Sequence, residues 1–292
     1  MKKHLLATIL ISITAVSIIC SICLAFYQTK ASGLISNLMD KKIRILIVPG
    51  HEPKDGGADY KGIYERNLNF QLSDVLANDL SQNKNIEVTV ARDTSDWNPV
   101  IKNYVINSSS TIMKWVSIMK AKMVAQVNAG QIKLLNSGMI HNDASSNAVL
   151  FLFGINKWAD ENKMDIVLNV HFNNNPKING KPNYRGYTIY IPEKQYGNAS
   201  TSKILANDIS NEISKIEKPS NMPQEKGTIT EDQELIAIGA YNTLKAPVAV
   251  VEYAYIYEPI MASSGTRNIF MEKAASSTAT AINNFIETNL KK

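Results

Sequence analysis

Apolar and polar positions in this chain follow two rhythms. Apolar runs of strand length occur at Lys42–Val48, Ile86–Ala91, Ile166–Val170 and Pro247–Val251, and Gly186–Ile191 alternates with a period of two. These patterns predict strands. Elsewhere apolar residues recur every three or four positions. Leu68, Leu72, Val75, Leu76 and Leu80 predict a helix over Glu65–Leu80, and Ile112, Trp115, Val116, Met119, Met123 and Val127 predict one over Ser110–Val127. Further helices are expected from a cap at Asp143 or Ser145 to Asn162, and over Ala199–Ile216, Glu231–Leu244 and Phe270–Leu290. Pro49–Tyr64, Asn173–Tyr184 and Lys218–Thr230 read as loops.

Strand, helix and strand within about fifty residues signal a parallel sheet. The expected fold is α/β: one domain, residues 42–292, with a mostly parallel central sheet flanked by helices. Thr94–Asp143 breaks the rhythm and reads as an insertion. It is either packed surface or a cap or docking helix near the cleft, and a regulatory protein is the partner it would take. His141, in its polar end, reads as a surface residue.

Ahead of this domain, Leu5–Tyr27 is almost uncharged and follows Lys2, Lys3 and His4. As a helix it would extend roughly 35 Å, enough to cross a bilayer. The positive flank would keep the N-terminus cytoplasmic and place the rest outside. Residues 1–29 are therefore expected to be a signal-anchor or transmembrane segment, with removal as a signal the alternative. Residues 30–41 would be a polar tether. The expected location is extracytoplasmic, on a bacterial plasma membrane or secreted.

Composition narrows the chemistry. The chain has 292 residues, a formal charge of +5, 45% hydrophobic residues and two cysteines. Both cysteines, Cys20 and Cys23, fall inside the first apolar run, so the domain can form neither a disulfide nor a thiolate metal site. Arginine occurs only at Arg44, Arg66, Arg92, Arg185 and Arg267. The lysine excess reads as scattered, which gives no nucleic-acid footprint.

Four residues carry the candidate chemistry. His51, His171 and Glu252 each follow an apolar strand, and Glu65 opens a helix. Ligands of α/β sheets bind beyond the carboxyl ends of the strands, so these side chains can share one crevice. Two imidazoles and one carboxylate make a catalytic zinc set with an open position, and a second carboxylate can serve as general base. Each residue alone has an ordinary structural explanation. Glu252 is hardest to explain that way, because an unpaired buried carboxylate is costly.

In order, Ile45-Leu46-Ile47-Val48-Pro49-Gly50-His51, Lys54-Asp55-Gly56-Gly57-Ala58, Tyr64-Glu65-Arg66-Asn67-Leu68-Asn69, Ala91-Arg92-Asp93, Asp165 through Asn173, and Ala246 through Glu252 resemble blocks of the zinc-dependent N-acetylmuramoyl-L-alanine amidases of type 3. The resemblance runs from about Ile43 to Leu290. It implies zinc on His51, Glu65 and His171, with Glu252 as the catalytic carboxylate. It implies peptidoglycan as substrate, cut between N-acetylmuramic acid and L-alanine of the stem peptide. Asp165 and Asp55 are candidates for aligning the imidazoles. The chain departs from the family pattern in Glu52-Pro53, where Gly-Gly is usual, in Tyr253 through Glu258, and in the Thr94–Asp143 insertion. Two other readings stand beside this one. One is a non-catalytic peptidoglycan-binding or regulatory relative, and the other is a zinc peptidase acting on a different amide.

Overall fold

Strand β1, Ile43–Pro49, shows how the core is divided. Successive side chains of a strand point to opposite faces of the sheet. Ile45 and Ile47 enter one apolar cluster, while Leu46 and Val48 enter another. The same alternation runs through β5, Ile166–Asn173, and β8, Val248–Tyr255. A sheet buried on both faces needs strands that are apolar throughout, which explains the uninterrupted runs in the sequence.

The computed structural model describes residues 27, 42–135, 144–174, 184–225 and 227–290. Residues Ile43–Lys292 form one compact unit. The Leu5–Tyr27 run, the tether, both cysteines and His141 fall outside the described residues, Tyr27 excepted. Among the described residues, no helix is long and apolar enough to cross a membrane.

Six strands form the central sheet in the order β4 (Ile86–Val90), β1, β5, β8, β6 (Thr188–Pro192) and β7 (Ile229–Asp232). All neighbours pair in parallel except β6 with β8. The sheet is thus mostly parallel, as expected. A separate hairpin joins β2, Asp59–Tyr60, to β3, Ile63–Tyr64. Its turn residues Lys61 and Gly62 both have positive φ, 52° and 78°, as a tight two-residue hairpin turn requires.

One face of the sheet packs on α1 (Glu65–Ser81), α5 (Ala199–Ile213) and α7 (Ser264–Phe285). The other packs on α2 (Pro99–Asn107), α3 (Ser109–Asn128) and α4 (Ser146–Glu161). Helix α6, Pro259–Ala262, is a single turn leading into α7.

The insertion is integral to this second layer. Ile101 and Val105 of α2 and Ile112 and Val116 of α3 are buried against Phe151, Ile155 and Trp158 of α4. It holds two helices rather than the single one expected. Asn98 accepts the Val100 N–H and Pro99 occupies the first turn, so a separate helix starts there. Ser145 caps α4 by accepting from Ala148 N.

Glu231–Leu244 is not a helix. It begins inside strand β7 and continues as two short 3₁₀ turns, Ile236–Ile238 and Ala240–Asn242. Gly239, Tyr241 and Asn242 all have positive φ, which no α-helix accommodates. The preceding Lys218–Thr230 loop contains a 3₁₀ turn, Pro223–Glu225, and the start of β7.

Candidate active site

The carboxyl ends of β1, β5 and β8 bring the candidate residues together. His171 and Glu252 are direct register partners on adjacent parallel strands. His51 follows β1 beyond Gly50, with φ of 66°. A non-glycine residue there is held at some cost, and such strain is commonest at functional sites. Two glycines make the placement sterically feasible. A Cβ on Gly50 would lie 2.2 Å from the His171 ring, and one on Gly57 would lie 2.9 Å from His51 Cδ2.

Arg92, at the end of β4, clamps this corner. Its buried guanidinium donates to the carbonyls of Pro49 and Asp93 at 3.0 and 2.9 Å, to Arg66 at 2.9 Å, and to Gly50. Burial and the neighbouring Arg66 charge pull it down to about 10, so it stays cationic at neutral pH.

Glu65 is held by the hairpin and the start of α1. Its backbone N–H reaches Ala58 O at 2.9 Å, and its Oε2 accepts from Ala58 N at 2.9 Å. Asn69, one turn later, donates to Gly50 O at 3.1 Å and to Glu65 Oε1 at 3.4 Å. Glu65 Oε1 then lies 2.8 Å from His51 Nε2 and 3.2 Å from His171 Nδ1. Burial would raise the Glu65 carboxyl, but its hydrogen bonds to His171 and His51 outweigh that and hold it well below the usual range. Burial lowers His171, against the pull of Glu65, so the ring favours its neutral, metal-ligating form.

The three donor atoms lie within 4.8 Å of one another. Tetrahedral zinc with bonds of about 2.0–2.1 Å needs donors about 3.3 Å apart. Glu65 Oε1, at 2.8 and 3.2 Å from the two imidazole nitrogens, lies close to that spacing. Glu252 stands beside it, with Oε1 3.9 Å from His171 Nδ1. Its other oxygen, Oε2, is buried with no hydrogen-bond partner among the described residues. Burial, then the charges of Glu65 and Glu225, raise Glu252 well above the ordinary carboxylate value.

Neither aspartate aligns an imidazole. Asp165 accepts from Arg44 N at the opposite end of β5, and Asp55 accepts from Gly56 N. Asn69 and Arg92 hold the corner instead.

Glu225 is a residue the sequence reading missed. It is buried and takes four donors: Asn173 Nδ2 and Tyr190 Oη at 2.8 Å each, Tyr255 Oη at 3.2 Å, and Ser220 Oγ. It sits in a polar loop with no periodic signal, so only tertiary structure reveals it. An open cavity of about 480 Å³ is lined by residues that follow His51 in sequence and by none of the four candidate residues themselves. Glu52, Pro53, Asp96, Trp97, Lys102 and Asn147 are among its lining residues. The departure Glu52-Pro53 and the insertion thus line the same cavity.

Comparison with known proteins accords with this geometry. The family model described as N-acetylmuramoyl-L-alanine amidase matches residues 45–284. The amidase structure from Mycobacterium smegmatis shares 12% identity, covering 86% of this chain and 99% of its own, with a TM-score of 0.56. The apo amidase from Mycobacterium abscessus shares 12% over 83% and 98%, with a TM-score of 0.54. The CwlD amidase from Clostridioides difficile, in complex with the GerS lipoprotein, shares 13% over 85% and 100%, with a TM-score of 0.53. These likenesses establish the shared fold. No curated protein sequence matches the chain. With the family model spanning most of its length, the chain belongs to the N-acetylmuramoyl-L-alanine amidase family and is an enzyme of that class.

Proposed function

We propose that this amidase is zinc-dependent and cuts peptidoglycan between N-acetylmuramic acid and L-alanine, on the outer side of a bacterial membrane. The observation that carries this reading is the pairing of a compact His51–Glu65–His171 donor set with a partnerless buried oxygen of Glu252. Zinc held there supplies Lewis-acid polarisation of the scissile carbonyl and activates water as nucleophile.

The chain's own residues do the rest. Glu65, ionised and buried, offsets the charge of a bound cation. Glu252 takes the proton of the attacking water and returns it to the leaving amine of L-alanine. Its raised pKa suits both halves of that cycle, and a cation on the neighbouring donors would draw it back down. The cavity lined by Glu52 and Pro53, the residues next in sequence to His51, gives the stem peptide or glycan a place to lie. The Leu5–Tyr27 run would anchor the enzyme near its wall substrate.

The test is zinc content and muropeptide cleavage by the purified full chain, with and without chelator. One zinc per chain, and chelator-sensitive release of stem peptides with a free L-alanine amine, are expected. Glu252→Gln should keep its zinc and lose about 10²–10⁴ in rate, the range for a general acid–base. Absence of zinc, or full activity in Glu252→Gln, would overturn the assignment. Zinc without cleavage of muropeptides would leave a binding relative or a peptidase of other specificity.

A further inference from the structure

Helix α3 has two unlike sides. Ile112, Val116 and Met123 are buried in the domain. On the outward side, Met113, Ile118 and Val124 are 42%, 46% and 52% exposed. At 3.6 residues per turn, Met113, Ser117, Lys120 and Val124 form one outward row, and Lys114, Ile118, Ala121 and Ala125 form the next. Lys122 lies at the far flank. Lys114, Lys120 and Lys122 are all exposed, and Lys120 lies 5.7 Å from the Tyr241 ring centre.

No carboxylate of its own segment tempers this face. Between Asp96 and Asp143 the chain has lysines at 102, 114, 120, 122 and 133 and no acidic residue. The lysines are spaced widely enough to look scattered along the chain, and it is the missing acids that concentrate the charge. Val100 and Ile106 of α2, and Leu134 and Leu135 just beyond α3, are exposed apolar residues of the same segment.

We propose that the outward face of α3 docks on the surface of an anionic phospholipid bilayer. The face has the chemistry of an in-plane amphipathic helix, in which aliphatic groups enter the acyl boundary and flanking lysines meet the headgroups. Charge complementarity favours anionic lipid over neutral lipid. A soluble polyanion would satisfy the lysines and leave Met113, Ile118 and Val124 in water. Protein interfaces are poor in lysine and rich in aromatic side chains, the reverse of this face.

The proposal does not require the N-terminal anchor, although the two would reinforce each other. Fourteen residues separate Tyr27 from Lys42. They reach about 50 Å at most. A domain tethered that closely meets the bilayer at high local concentration, so a weak contact suffices.

The test uses the full chain. With Cys20→Ser and Cys23→Ser, a single cysteine at Val124→Cys carries an environment-sensitive dye. A second chain carries the dye at Met113→Cys, and a control carries it at Glu272→Cys on α7. Each is mixed with vesicles of phosphatidylcholine alone or with added phosphatidylglycerol, in both cases containing nitroxide-labelled acyl chains. Quenching of the two α3 dyes only with phosphatidylglycerol, with a silent control, is expected. Lys114→Glu with Lys122→Glu should lower the affinity about tenfold or more. Flotation with phosphatidylcholine alone reads the anchor separately. Absence of quenching at both α3 positions overturns the docking, whatever the flotation, and leaves this face to a protein partner. Equal quenching in both lipids also overturns it.

Discussion

At the scale of the residue, the site depends as much on missing atoms as on ligands. Gly50 lies under the His171 ring, where a methyl group has no room. Gly50→Ala should displace that ring and weaken zinc binding by about 10–100-fold, as losses of supporting structure commonly do. A zinc competition titration checks it. Glu252 gives a prediction of definite sign. Its folded pKa is raised, so the fold prefers the protonated form, and that contribution is complete below the unfolded value of 4.5. It is lost as pH rises through the folded value. In metal-free protein, Glu252→Gln should therefore gain in melting temperature over wild type as pH rises from about 5 to 8. A gain of about 2–4 °C is expected per kcal/mol. Zinc should shrink that gain, because the cation stabilises the carboxylate. A gain that falls with pH would contradict the assignment.

The four candidate residues could be placed near one another from the sequence because each is tied to an element boundary that apolar runs mark. The helpers could not. Arg92 was visible as part of a motif, but three of its four carbonyl partners, on Pro49, Gly50 and Arg66, lie 26 to 43 positions away. Asp55 and Asp165 were plausible by type and wrong by position.

At the scale of the element, the strands with apolar runs read well, the edge strand β4 included, and the edge strand β7 was missed. Strand β7 is a short edge strand, Ile229-Thr230-Glu231-Asp232, with no apolar run to announce it. The stretch after it, Leu235 through Leu244, is mostly apolar and free of proline, and it read as a helix. Backbone geometry at Gly239, Tyr241 and Asn242 decides otherwise. The Pro99 helix was readable from Asn98-Pro99, a cap followed by a first-turn proline, and was passed over. Because α2 and α3 are buried in the second apolar cluster, the insertion supports the fold. Ile112→Ala should cost about 2–4 kcal/mol, whereas the exposed Met113→Ala should change stability by less than about 0.5 kcal/mol. Denaturant unfolding of both variants checks this. Equal, small effects would mean that the insertion is an appendage.

At the scale of the whole molecule, the sheet order brings β1, β5 and β8 side by side, so three segments far apart in sequence finish at one rim. Such a site exists only once long-range pairing is complete. Its general location was legible from fold class alone, since open α/β sheets bind ligands at that rim. The detailed geometry was not, because it rests on contacts between residues far apart in sequence, such as that of Glu65 with His171, 106 positions apart.

The Glu225 carboxylate gathers donors from β5, β6, β8 and the loop before its own turn. Asn173, one of them, ends the strand that carries His171. Fraying of the outer sheet would therefore unfasten a neighbour of the metal-binding set. In amide hydrogen exchange, β6 and the His171 end of β5 should open as one cooperative unit. Glu225→Gln, which replaces an acceptor oxygen with a donor, should speed exchange at both together. Acceleration confined to β6 would show that the rim is insulated from the sheet's edge.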